Sequence, residues 1–166
     1  MKKFMLFLCL LASILTVQGA NRSDKNKIKL EKEKEMQELI ESGSFRFIAR
    51  SANPMSGPAI NLTSTYDLKI DGDIIEAWLP FYGRAYHVKY GDREGGIKFK
   101  EQAEKSDLQF KSRKKTYEYI ASVKTDGDMY ELKLSAGLNG YGSLNINSRN
   151  RQSISFYGII EALDKK

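Results

Sequence analysis

From Ser44 onward the apolar residues of this chain return at every second position, the period of a strand buried on one face only. Phe45, Phe47 and Ala49 alternate with Ser44, Arg46 and Ile48, and Leu62, Tyr66, Leu68 and Ile70 alternate with Thr63, Thr65, Asp67 and Lys69. Asp71-Gly72-Asp73 reads as a tight hairpin, and the strand after it, Ile74 to Leu79, is stopped by Pro80, which has no amide proton to donate. The same pattern predicts strands over Leu108 to Ser112, Tyr117 to Lys124, Tyr130 to Ala136, Tyr141 to Asn147 and Gln152 to Ile160, with turns at Thr125 to Asp128, Gly137 to Gly140 and Ser148 to Asn150. A strand and a turn signal about every 8 to 12 residues indicate a mostly β fold: one antiparallel meander closing as a small barrel or folding into a sandwich, lipocalin-like in outline. Phe47, Tyr66, Leu68, Leu132, Leu134 and Phe156 are expected in its core.

The 43 residues before the strands are of another kind. Lys2 and Lys3 precede a charge-free apolar run from Phe4 to Val17, too short for a membrane span of about 20 residues. Val17-Gln18-Gly19-Ala20 then supplies the small residues a signal peptidase needs, so residues 1–20 read as a signal peptide cut after Gly19 or Ala20. A buried core helix is the poorer reading, because the residues that follow are almost all charged. Residues 21–43 form a charged leader in which Ser23 or Asp24 caps a helix, and Ile28, Met36, Leu39 and Ile40 make a narrow stripe docked by its C-terminal half. Gly43 ends it, and residues 44–166 are the β domain.

Removing the signal leaves about 146 residues, one domain's worth, and lowers the formal charge from +6 to +4. The only cysteine, Cys9, lies within the apolar run, so the mature chain has no disulfide, no thiolate nucleophile and no lipidation site. His87 is the only histidine, which excludes the usual zinc clusters and would have to serve any Ser-His-Asp triad alone. It alternates with Tyr86 and Val88 and reads as a strand histidine. No G-x-S-x-G elbow exists, and the glycine-rich Gly137 to Gly142 lacks both the lysine and the following helix of a phosphate loop, so it reads as a hairpin with a bulge. The two Asp-Gly-Asp turns each offer two carboxylates, fewer oxygens than calcium takes. Lys111 to Lys115 reads as an exposed strand end and turn. No catalytic residue and no cofactor is expected.

One segment holds more aromatics, arginine and glycine than a turn requires: Leu79-Pro80-Phe81-Tyr82-Gly83-Arg84-Ala85-Tyr86, continuing through His87 to Tyr90 and Gly91 to Gly96. Its Gly-x-Ala-Tyr-x-Val-x-Tyr pattern faintly echoes an RNA-binding strand, but export and the absence of helix alternation speak against nucleic acid. Together with Phe45-x-Phe47-x-Ala49, Asn53-Pro54, Leu62-Thr63-x-x-Tyr66, Gly72-Asp73, Gly95-Gly96-Ile97-x-Phe99 and Asn150-Arg151-Gln152-Ser153-Ile154-Ser155-x-Tyr157-Gly158, this block resembles the bacterial domain-of-unknown-function 4251 family over about Lys34 to Ile160. The resemblance implies a small exported protein of a Gram-negative envelope with a β-rich fold. It implies no catalytic residue, because the family's activity is unassigned.

The residues themselves point to an exported periplasmic binding or accessory module whose cleft takes a small or acidic amphipathic ligand. Tyr82, Arg84, Tyr86, Arg149 and Arg151 are the candidate ligand-binding residues, on the expectation that the final turn returns to the aromatic block. The alternative is a structural or protein-interaction component of the envelope with no small-molecule site. The expected partner is a small ligand or an envelope protein, with no nucleic acid and no membrane insertion of the mature chain. The oligomeric state is left open.

Overall fold

A computed structural model describes residues 24–86 and 95–163, so residues 1–20, read above as a signal peptide, and His87 lie outside the described residues. Residues 24–41 are helical (α1), and the chain divides into two compact units, Met1–Glu35 and Met36–Lys166. In the first unit Ile28 and Leu30 are exposed. The second holds the end of α1 and eight strands: β1 (Ser44–Pro54), β2 (Ile60–Asp71), β3 (Ile74–Leu79), β4 (Ile97–Lys111), β5 (Thr116–Lys124), β6 (Met129–Gly137), β7 (Tyr141–Ser148) and β8 (Ile154–Ala162). Each pairs antiparallel with the next, and β8 pairs with β1 from Phe45↔Ala162 to Pro54↔Ile154, closing an up-and-down barrel.

Alternation decides what fills it. The inward residues of the strands, among them Phe45, Phe47, Leu68, Ile70, Ile75, Leu79, Tyr117, Leu132, Leu144 and Phe156, form one contiguous buried cluster. An eight-stranded barrel is just wide enough for such side chains to occupy its interior, and here the buried cluster runs through it. Ile40 belongs to the cluster and Met36 and Leu39 pack against it, so the end of α1 covers one mouth of the barrel. There the buried Tyr117 hydroxyl donates to Glu41. Burial, then the neighbouring carboxylate, pushes the Tyr117 phenol up to about 12. Gly43, at φ 68°, ends the helix in the left-handed conformation a C-terminal glycine permits, and its carbonyl accepts from the amide of Gly72.

The hairpins read from turn residues are present. Gly72, at φ 59°, opens the two-residue β2–β3 turn, and Gly140, at φ 83°, closes the three-residue β6–β7 turn. The fourth strand differs from the expectation. It starts at Ile97, eleven residues before Leu108, because Lys98, Lys100, Glu101, Glu104 and Lys105 mask its alternation and a bulge between Ala103 and Lys105 inverts it. Tyr66 is another correction. It pairs with Ala49 as the last residue before the register of β1 and β2 shifts, beside residues 62–65, which have no β1 partner, and it is half-buried at the margin of the core. Ile48 lies in the outward row between Asp67 and Ile159, yet it is only 8% exposed.

Candidate functional site

At the mouth opposite α1 the β1–β2, β3–β4, β5–β6 and β7–β8 loops emerge. Pro80 stops β3, and the chain then crosses toward the β7–β8 loop instead of turning straight back into β4. Ala85 forms an antiparallel bridge with Arg151. The Tyr86 amide donates to the Asn150 carbonyl at 2.7 Å, the Gln152 amide to the Arg84 carbonyl at 3.0 Å, and the Arg84 amide to the Gln152 side-chain oxygen at 3.0 Å. Residues 84–86 thereby gain a strand-like partner far away in sequence.

Arg151 fastens the other side of the segment. Its Nη1 donates to the carbonyls of Gly95 (3.2 Å) and Gly96 (2.9 Å), and its guanidinium lies 5.4 Å from the centre of the Phe81 ring, a cation–π distance. Gly96 is held close to the end of β3: a Cβ there would stand 2.9 Å from the Leu79 carbonyl oxygen. A third loop joins through Asn150, whose side-chain amide donates to the Gly127 carbonyl at 2.7 Å, and through Ser148, whose hydroxyl donates to Asp128 at 2.6 Å.

All five residues singled out in the sequence are on this mouth, and the structure sorts them. Tyr82 is half-buried and packs against the core. Arg151 is half-buried and holds main-chain carbonyls, so it positions the loop. Arg84 and Tyr86 face solvent, Tyr86 at 61% exposure, and Arg84 forms no ion pair with a described residue. Arg149 is exposed on the far side of the same loop, with one guanidinium nitrogen 3.9 Å from the Met129 sulfur. The aromatic block and the final turn are therefore brought together, while Arg149 is turned toward the β5–β6 turn. Sequence reasoning missed Asn150 and Gln152 as the residues that join the loops; the signal available was their place in the Asn150-Arg151-Gln152 motif.

A concavity of about 700 Å3 lies away from this mouth, on β4 to β7, and is lined by Lys105, Asp107, Ile120, Ser122, Glu131, Lys133 and Asn147 among others. Its charges are mixed. Among the described residues no three His, Cys, Asp or Glu side chains gather as metal ligands.

Comparison with known proteins agrees with this architecture. The chain is similar in fold to a crystal structure of a DUF4251 family protein from Bacteroides eggerthii DSM 20697, with a TM-score of 0.63 and 14% identity over 81% of this chain and 90% of that one. A search of curated proteins finds no match. The model of the family described as domain of unknown function (DUF4251) matches residues 27–160. Most of the α1 sequence and nearly the whole barrel thus lie within that match, and the chain belongs to the DUF4251 family.

Proposed function

We propose that the protein acts after export, in the periplasm or beyond it, as a binding module that takes a small amphipathic ligand with an acidic group at the loop mouth of the barrel. Arg84 supplies the first anionic contact, Arg149 a second from the neighbouring loop, and Tyr86 an apolar wall. Tyr82 and Arg151 act behind them, holding the platform. The observation that supports this reading is an exposed arginine and an exposed tyrosine two residues apart on a segment already fixed by the three hydrogen bonds to Asn150 and Gln152. Guanidinium groups suit bidentate contacts to carboxylates, and a loop ordered before binding loses little entropy when a ligand arrives. The large buried side chains inside the barrel, Phe45, Phe47 and Phe156 among them, direct the reading to the mouth. No step of this reading breaks or makes a covalent bond.

Titration calorimetry with a panel of aromatic and long-chain carboxylates tests it. Arg84→Ala is expected to weaken binding by about 10- to 100-fold, as loss of a charge-assisted hydrogen bond does, and Arg149→Ala by less. A carboxylate bound equally well by wild type and the Arg84→Ala, Arg149→Ala double variant removes the site. Export is tested by the N-terminus of the protein released from the periplasm, expected at Ala20 or Asn21; a retained Met1 would overturn it. The second reading, an interaction component of the envelope, is favoured by exposed Trp78, Tyr141 and Tyr157 on the outer wall. It predicts retention on envelope proteins that survives Arg84→Ala and fails when Tyr141 and Tyr157 are replaced by serine.

A further inference from the structure

β4 is shared unequally by its neighbours. β3 has only six residues and pairs with Ile97 to Gln102, whereas β5 pairs with Ala103 to Lys111. The Ala103 amide still donates to the Asp73 carbonyl at 2.8 Å, but from Glu104 onward β4 has a strand on one side only among the described residues. Such an edge presents unpaired main-chain donors and acceptors to any strand that reaches it. This stretch contains no proline and its bulge lies at its start, so what guards it is charge, from Glu104, Lys105, Asp107 and Lys111, and a strand that pairs here must answer that charge. Its inward row ends in Leu108 and Phe110, and Phe110, packed at 4.8 Å on the Tyr117 ring, is still 47% exposed. Its outward row is Lys105, Asp107, Gln109 and Lys111.

We propose that the occupant of this edge is β4 of a second copy of the chain, paired antiparallel about a two-fold axis at Gln109. Across antiparallel strands opposed residues share a face, which restricts the axis to few positions. An axis at Asp107 opposes that carboxylate to itself. At Leu108 it opposes Lys105 to Lys111, and at Ser106 it sets Leu108 against Glu104 across the bulge and leaves Phe110 uncovered. At Gln109 both faces are satisfied. Asp107 opposes Lys111 of the second copy twice on the outer face, Leu108 opposes Phe110 twice on the inner face, and the two Gln109 amides meet on the axis. The edge runs toward the mouth covered by α1, so pairing leaves the loop mouth of both copies open.

The thiol chemistry of the chain suits a direct test. The one cysteine of the sequence, Cys9, lies in the segment read as a cleaved signal, so in the mature chain Gln109→Cys places the two introduced thiols opposite each other on the axis, where strand spacing of about 4.5 to 5.5 Å between Cα atoms lies within disulfide reach. Mild oxidation is expected to give a disulfide dimer on a non-reducing gel. Ser106→Cys places its thiols six residue steps apart, about 20 Å, and is expected to stay monomeric. In sedimentation equilibrium Asp107→Lys and Lys111→Asp are each expected to weaken dimerisation about tenfold, from two like-charge cross-strand contacts, and the double exchange to restore it. These positions are exposed, so each variant is expected to keep the wild-type circular dichroism. A wild-type protein monomeric at every concentration with no Gln109→Cys cross-link, or cross-linking at Ser106→Cys in preference, overturns the proposal.

Discussion

Gly158 is the position where one methyl group costs most. It sits on β8 opposite Ala49 and Gly142, on the inward face. The irregular pairing between Ala49 and Ser51 leaves β1 close to β8 here, and a Cβ built on Gly158 would stand 1.9 Å from the Ile48 carbonyl oxygen, 2.8 Å from its carbon and 2.9 Å from the Phe47 ring. The φ of Gly158 is one that any residue adopts, so the cost is one of contact alone. Two of the three obstructing atoms are backbone, so relief requires β1 and β8 to separate at the closure of the barrel. Gly158→Ala is therefore expected to cost about 3 kcal/mol, the upper end of the range for overpacking. For a domain of this size that lowers the melting temperature by about 10 °C, and with a urea slope of about 2 kcal/mol/M it moves the midpoint by about 1.5 M. Gly142→Ala is the control. Its Cβ would meet Ile160 and Phe47 at 3.3 Å, both through side-chain atoms that give way, and its cost is expected below about 1 kcal/mol. Equal midpoints for wild type and Gly158→Ala, with unchanged slope, would show that β1 and β8 can part freely and would refute the argument.

Arg151→Ala removes two charge-assisted hydrogen bonds to the Gly95 and Gly96 carbonyls and is expected to cost about 1.5 to 3 kcal/mol, with faster hydrogen exchange at the Tyr86 and Gln152 amides; unchanged exchange there would show the loop is held by other means. Tyr117, whose phenol is raised from the ordinary 10 to about 12, contributes stability that is complete below pH 10 and is lost as pH rises through about 12. In a phenolate absorbance titration Tyr117→Phe should delete a step near pH 12 and flatten the fall in stability above pH 10; deletion of a step near pH 10 would contradict the burial of that phenol.

The strands were legible where burial is one-sided and uninterrupted. In β5 and β6, Tyr117, Tyr119, Ala121, Val123, Tyr130, Leu132, Leu134 and Ala136 are all buried as the alternation requires. β4 was legible only in its last part, because a strand with a solvated edge need not keep charge off its faces and its bulge shifts the inward set from Ala103 to Ser106. The closed barrel could not be distinguished from a sandwich, since both present the same period and differ only in whether β8 finds β1. The meeting of the aromatic block with the final turn followed from the meander itself: in an eight-strand circuit the β3–β4 and β7–β8 connections open on the same mouth. What each arginine does there was not legible. Arg149 and Arg151 are two residues apart with the same charge, yet one faces solvent and the other is half-buried on carbonyls supplied by Gly95 and Gly96, a distinction set by a contact more than fifty residues away in sequence.

The closure of β8 on β1 also dictates an order of events. Every other ladder in the barrel joins consecutive strands. The pairing of Phe45 with Ala162 spans nearly the whole domain, and closing a loop that long costs about 3 kcal/mol more than closing a tight turn. A chain emerging N-terminus first can assemble hairpins as it appears but cannot seal the cylinder until its last strand is out. Until then Phe45 and Phe47 lack their cover from Phe156 and Ile160, and the sheet has the open margins of β1 and β7 in addition to the free stretch of β4. The barrel is thus a late-committing fold, completed by the nine residues of β8, and removing that strand should yield an aggregating sheet in place of a smaller barrel.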